Sequence, residues 1–173
     1  MGSYLAGKAE MKQWVKENFP PESTILDVGA CDGCWRKLLD GYTMDAVEAF
    51  EPNAQKLDGY RQVFNCDIAD LEYGAYDLII FGDVIEHMEV AKAQKVLEYA
   101  KTRCKDMIVA VPYQLRQGAI YGNPWEVHIQ WDLTPEIFDE RYKGFEPVYL
   151  IPNVYCYYHE VNANGYKDDS DKA

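Results

Sequence analysis

The sequence predicts an α/β fold: a doubly wound, mostly parallel sheet of seven strands with helices on both faces and an antiparallel hairpin at the C-terminal end. Three observations carry this expectation. Short apolar runs alternate with helical-period segments from about residue 20 to 142. Those runs, "YDLIIFG" at 76–82 above all, are nearly continuous in apolar residues, the pattern of strands buried on both faces. The chain then closes on "FEPVYLIPNVYCYYHEV", two aromatic-rich runs joined by Pro152-Asn153, which reads as a hairpin.

Taken in order, Met11, Trp14, Val15 and Phe19 recur at helical spacing, so about 3–18 reads as an amphipathic helix ended by Pro20-Pro21. "STILDV" is a first buried strand, and Trp35, Leu38 and Leu39 mark a short helix stopping near Gly41. "MDAVEAF" is a second strand, running up to Glu51, followed by Pro52 and a weak helix carrying Leu57 and Tyr60. "QVFNC" is the third strand and "YDLIIFG" the fourth. Val90, Ala93, Val96, Leu97, Ala100 and Cys104 fall on one helical face, and Lys92, Lys95, Glu98 and Lys101 read as its solvated side. "DMIVAVP" is the fifth strand, and Thr134-Pro135 starts a last helix, the hydroxyl capping and the proline fixing the first turn. Tyr155, Tyr157 and Tyr158 belong to sheet packing, or to a dimer face if exposed. A single domain is expected over 1–165, its N-terminal helix within 1–19, with a mobile polar tail at 166–173.

The bulk numbers narrow the function. The chain has 173 residues, 48% of them hydrophobic, enough for a real core. Its 17 basic against 29 acidic residues give a net charge of -12 without a basic cluster, which argues against a nucleic-acid partner. No apolar run approaches the ~20 residues of a membrane span, and the N-terminal stretch has no apolar signal region. Five cysteines spread from Cys31 to Cys156 fit reduced thiols in the cytoplasm. A monomer or homodimer is expected.

The stretch "TILDVGACDGCW" carries two spacings at once. Cys31-x-x-Cys34 is that of a redox or zinc knuckle, and Gly29-x-x-x-Gly33 after a strand is that of a turn letting a ligand approach the backbone. No second Cys or His pair stands at zinc spacing, so no metal is expected and the thiols read as buried parts of a ligand loop. Glu51 follows Gly29 by 22 residues, close to the separation at which an acid accepts two ribose hydroxyls. Laid on Gly29, the three-glycine dinucleotide fingerprint meets Cys31 and Cys34 instead, and no phosphate-cradling G-x-x-x-x-G-K motif is present.

"ILDVGACDG" resembles the first motif of the class I S-adenosylmethionine-dependent methyltransferases, with Asp27, Gly29, Ala30 and Gly33 in place and Cys31 where that family usually has glycine. "VEAFEPN" is similar to the second motif, "FNCDIAD" to the acidic motif after the third strand and "YDLIIFGDVIEHM" to the fourth-strand motif, in family order over roughly 20–160. The resemblance implies a Rossmann-like fold that binds S-adenosyl-L-methionine and releases S-adenosyl-L-homocysteine. It implies that Glu51 holds the ribose, Pro52 lies beside the adenine, Asp67 accepts from the adenine amino group and Ile68 flanks the ring. Gly82, Asp83 and Val84 would face the methionine end, Asp83 near the amino group.

The implied reaction is in-line attack by a substrate nucleophile, which needs a base only if the nucleophile is protonated. His87, after the fourth strand, is one candidate, against a helix-start residue bonded to backbone. His128 is the other, in the long irregular segment from about Tyr113 to Asp132, against a histidine bonded in the packing. Tyr113, Tyr121, Trp125 and Trp131 on that segment are candidates for a lid over the substrate. The expected acceptor is a small molecule, with a protein side chain as a variant. The rival readings are a cofactor-binding regulatory module without turnover and a nicotinamide-dependent oxidoreductase.

Overall fold

The structure, a computed structural model, describes residues 6–160. The tail expected at 166–173 and the first residues of the expected N-terminal helix lie outside the described residues.

Five parallel strands form the body of the sheet: β1 (Thr24–Val28), β2 (Thr43–Val47), β3 (Gln62–Phe64), β4 (Tyr76–Gly82) and β5 (Cys104–Pro112). The final hairpin, β6 (Phe145–Ile151) and β7 (Tyr155–Glu160), joins the β5 edge antiparallel, giving the order β3-β2-β1-β4-β5-β7-β6. Alternate residues of each central strand enter one of two cores, as the two-residue period of a strand requires. Leu26, Val28, Ile79, Phe81, Val109 and Val111 pack on one face, under Ala93, Val96, Leu97 and Ala100 of α4 (Val90–Lys101) and Phe138 of α5 (Pro135–Arg141). Ile25, Leu78, Ile80, Ile108 and Ala110 pack on the other, under Met11 and Val15 of α1 (Lys8–Asn18) and Trp35 of α2 (Cys34–Leu38). Both faces are therefore dry, which is why the strands read as unbroken apolar runs. Each of these fully buried aliphatic side chains contributes roughly 1.5–3 kcal/mol. The fold class is as the sequence predicts.

Several boundaries move. β2 stops at Val47 instead of running to Glu51, because the Glu48 carboxylate accepts the Phe50 N–H at 2.8 Å and curls the chain out of the sheet. The weak third helix shrinks to one turn, α3 (Glu51–Ala54), leaving Leu57 and Tyr60 beyond it. α4 ends at Lys101, and Cys104 belongs to β5. Tyr155, Tyr157 and Tyr158 are buried, so the dimer-face alternative for them falls away.

β1 has β2 on one side and β4 on the other, so successive connections leave it in opposite directions. A crevice at the carboxyl ends of the strands is the consequence of that reversal.

Candidate functional site

The crevice opens as a cavity of about 700 Å³ over the tips of β1, β2, β4 and β5, within the range of small-ligand and cofactor sites. A shallower depression of about 520 Å³ between α1 and β6 brings together no histidine or cysteine.

The turn after β1 is set by its backbone. Gly29 and Gly33 adopt φ of 70° and 71°, and the Gly29 and Ala30 N–H groups donate to the Val47 carbonyl at 2.8 and 3.2 Å. A Cβ on Gly29 would stand 2.5 Å from Val84 Cγ2, so only glycine lets this turn lie against the tip of β4. Cys31 takes φ 50° in the same turn, a left-handed conformation that side chains disfavour. Burial pushes its thiol up to about 11 and raises Cys34 as well. Neither is a thiolate at neutral pH, which argues against a redox role for the pair.

Two carboxylates face the cleft beside this turn. Glu48, one residue past β2, accepts the Cys31 N–H at Oε2 and the Phe50 N–H at Oε1, both at 2.8 Å. Burial still raises its pKa, against the lowering effect of those two donors. Asp67 accepts the Ala69 N–H at 2.9 Å and is paired with the Lys92 ammonium. Lys92 lines the cleft, which corrects its reading as part of a solvated face.

The other end of the cleft is built from segments about 40 residues apart. A 3-10 turn at Ile85–His87 follows β4, and the long segment after β5 returns over it. The Glu86 carbonyl accepts from both Ile129 and Gln130 N–H at 2.9 Å. The Gln130 amide donates to the Ile85 and Met88 carbonyls at 2.8 and 3.0 Å, while its oxygen accepts from Tyr142 at 2.7 Å and Arg141 at 3.2 Å. These bonds bring Glu86, His87 and His128 together, their ligand-capable atoms within 4.8 Å of one another. The sequence expectation of no metal rested on Cys and His pairs at zinc spacing alone and did not weigh this grouping.

His87 Nδ1 lies 3.1 Å from the Val127 carbonyl and His128 Nδ1 lies 2.8 Å from the Leu115 carbonyl. A carbonyl only accepts, so the proton on each ring is assigned to Nδ1. The two rings meet edge to face at 4.7 Å between centroids. Burial, with a smaller contribution from His128, lowers the His87 pKa to about 4, so its imidazole is neutral at pH 7 and a weak proton acceptor. Glu86 is 1% exposed, and neither of its carboxylate oxygens has a hydrogen-bond partner. Burial and the nearby Asp83 charge raise its pKa well above the usual carboxylate range. Asp83 itself accepts the Tyr155 hydroxyl.

Of the residues singled out from the sequence, Gly29, Cys31, Asp67, Ile68, Gly82, Asp83, Val84, His87, Trp125 and His128 line the cavity. Asp27 does not: it is buried beneath the turn, bonded by the Tyr60 hydroxyl, and burial pushes its pKa up to about 7. Ala30 and Gly33 shape the turn without lining the space. Glu51 and Pro52 open α3 on the exposed side, so the acid at the cleft is Glu48. Three of the four lid candidates are displaced. Tyr113 is buried against the Tyr158 hydroxyl, Tyr121 is 88% exposed, and Trp131 lies under the Arg116 guanidinium, 3.6 Å from its ring centre. The sequence reading missed Glu48, Glu86, Glu126 and Lys92. Glu86 had a signal, standing beside His87 directly after the most apolar strand.

No protein-family model matches the chain. A methionine–tRNA ligase of Saccharolobus islandicus (strain M.14.25 / Kamchatka #1) is 25% identical over 151 residues, covering 80% of this chain. The match takes in 26% of that ligase, so the chain spans about a quarter of its length. Among solved structures, the N-terminal domain of EvdMO1 with S-adenosylhomocysteine bound superposes with a TM-score of 0.68 at 14% identity, over 92% of this chain and 82% of that one. The magnesium protoporphyrin IX methyltransferase of Synechocystis PCC 6803, with S-adenosylmethionine bound, gives 0.64 at 15%, over 90% and 77%. An S-adenosylmethionine-dependent methyltransferase of Clostridium acetobutylicum ATCC 824 gives 0.65 at 11%, over 88% and 89%. The fold is that of the class I S-adenosylmethionine-dependent methyltransferases, seven-stranded sheet and terminal hairpin included.

Proposed function

We propose that this chain is an S-adenosylmethionine-dependent methyltransferase acting on a small-molecule nucleophile. One observation carries the reading: Gly29, Glu48, Asp67 and Ile68, from three successive motifs, converge on one side of a single cleft whose other side is the tip of β4. That is the arrangement an adenosyl ligand needs. A close backbone approach is available at Gly29, an acid for ribose hydroxyls at Glu48, and an acid with an apolar neighbour for adenine at Asp67 and Ile68. The residues fit the cofactor, and about 700 Å³ leaves room for an acceptor beside it. Structural neighbours with the cofactor or its product bound, the protoporphyrin enzyme among them, support the choice, as does the likeness to a mitomycin 7-O-methyltransferase.

When bound, the cofactor supplies a sulfonium methyl open to attack by an electron pair. The residues of this chain align and enclose. Gly82, Asp83 and Val84 would hold the methionine end, and His128 lines the same cavity and would help to exclude water there. Two exposed large apolar side chains, Leu115 and Trp125, border the cleft on this side. An acceptor with an apolar or aromatic face suits them. Five free thiols support a reducing, cytoplasmic setting. No helix among the described residues is long and apolar enough to cross a membrane.

Calorimetric titration of the purified chain with S-adenosylhomocysteine tests the reading. Saturable heat is expected; none from folded protein, or a preference for NADH, overturns it. A panel of phenols, amines and carboxylates with methyl-labelled cofactor then identifies the acceptor class, and a labelled product rules out a module without turnover.

A further inference from the structure

Glu86 poses a physical problem that the methyltransferase reading leaves unsolved. A carboxylate 1% exposed, with neither oxygen hydrogen-bonded, is among the costliest groups a core can hold. It borders the cleft, not a sealed interior, so something entering the cleft can reach it. His87 Nε2 stands 3.9 Å from its Oε1. His128 Nε2 is the remaining ring nitrogen of the cluster, since both histidines spend Nδ1 on backbone carbonyls. A backbone carbonyl on one ring nitrogen is the usual outer partner of a metal-binding imidazole, fixing its tautomer and turning the other lone pair inward.

We propose that Glu86, His87 and His128 form a binding site for one divalent first-row transition-metal ion, with its remaining positions open to the cleft for an oxygen of the acceptor. Two imidazoles and one carboxylate favour such an ion over magnesium or calcium, which prefer all-oxygen sites. Ligands of one ion bound at about 2.0–2.2 Å stand roughly 3–3.5 Å apart, so the 4.8 Å cluster closes with side-chain adjustments of about an ångström or two. The scaffold is already rigid: Gln130 and the doubly bonded Glu86 carbonyl hold the two segments in register. The position also assigns a substrate class. Resting on the methyltransferase reading, it selects hydroxyl acceptors: a metal-held hydroxyl gives its proton to solvent more readily, and its electron pair then faces the space assigned to the methyl.

The test uses the full chain stripped with a chelator and titrated with Co²⁺ alone, without cofactor. One Co²⁺ per chain is expected, with the visible absorption of a nitrogen- and oxygen-bound cobalt ion and a rise in thermal midpoint. Glu86→Gln and His128→Gln should each weaken binding at least about 10–100-fold, the loss that even outer-shell changes produce. Far- and near-ultraviolet circular dichroism of each metal-free variant separates lost ligation from lost folding, and the second variant serves if the first does not fold. A wild-type chain that takes up no Co²⁺, or a folded variant that binds it as well as the wild type, overturns the site. Cofactor plays no part in this titration. A failure of S-adenosylhomocysteine to bind would therefore remove the methyltransferase reading while leaving the metal result standing.

Discussion

Two buried glutamates mark the two halves of the cleft, and they are held in opposite ways. Glu48, past β2, has one backbone donor on each oxygen; Glu86, past β4, has no hydrogen-bond donor on either. The first half is a backbone construction, in which positive-φ glycines and N–H groups fix the carboxylate before any ligand arrives. The second is a side-chain construction, assembled from the 85–87 turn and the segment near 128, and electrostatically incomplete. In a fold with dry strands on both faces, such an unpartnered carboxyl is held only by taking up a proton, and here it borders open space. The contrast teaches which half is dictated by folding and which is reserved for a ligand.

The sharpest way to break the backbone half is Gly29→Val. Its Cβ would come within 2.5 Å of Val84 Cγ2, at a φ of 70° that β-branched residues avoid. Overpacking costs about 1–3 kcal/mol and the left-handed backbone a further ~1–2 kcal/mol. Urea unfolding should therefore show a loss of roughly 2–5 kcal/mol, with loss of S-adenosylhomocysteine binding. A wild-type midpoint would mean that the turn does not need glycine.

Next in size is the choice between two acids. Glu48→Gln should weaken S-adenosylhomocysteine by about 1.5–3 kcal/mol, the range for hydrogen bonds to a charged group, or roughly 10–100-fold in Kd. Glu51→Gln, on an exposed side chain at the start of α3, should leave Kd within about twofold, since surface changes seldom exceed ~0.5 kcal/mol. The reverse result would return the ribose role to Glu51 and dissolve the comparison.

That pair also measures how far the sequence could be read. The strand and helix alternation, burial on both sheet faces and the ligand turn after β1 follow from local signals: unbroken apolar runs, glycine spacing and a Thr-Pro helix start; the strand order does not. The acid that lines the cavity stands three residues before the one expected, because "VEAFEP" offers Glu48 and Glu51 within one apolar run. What separates them is a hydrogen bond from Phe50 N–H to Glu48, a tertiary detail with no periodicity. Three of the four lid candidates lie away from the cavity for a related reason. Aromatic residues in a long segment announce contact, but Tyr113 finds Tyr158 on β7 and Trp131 finds Arg116, neither of them neighbours in any sequence window. The Glu86–His87–His128 cluster was illegible as a unit because its third member arrives about 40 residues later, positioned by Gln130.

The side-chain half is probed by Glu86→Gln in metal-free protein, through stability instead of binding. A carboxyl with its folded pKa raised above the ordinary 4.5 holds a proton in the folded state that the unfolded chain releases. Its contribution is therefore fully present below about pH 4.5 and is lost as pH rises toward the folded value. The neutral amide keeps the shape and has no proton to release on unfolding. Thermal or urea unfolding at pH 7 should show Glu86→Gln equal to or more stable than wild type, by on the order of 1–2 kcal/mol, with a flatter slope above pH 4.5. A destabilised variant would mean that the charged carboxylate has a protein partner in solution, and the two glutamates would then be alike.

The smallest effect belongs to Cys31→Gly, back in the backbone half. Cys31 holds φ 50° and its Sγ lies 3.7 Å from the Asn53 amide, a weak contact. Glycine relieves about 1–2 kcal/mol of left-handed strain and loses roughly 0.5–1 kcal/mol through the greater freedom of the unfolded chain. The two nearly cancel, so the unfolding free energy should stay within about 1 kcal/mol of wild type. Cofactor Kd should not move, because the Cys31 contribution to Glu48 is its N–H, which glycine keeps. A Kd that rises would show the thiol itself touching the ligand, and the first half of the cleft would then depend on a side chain as the second does.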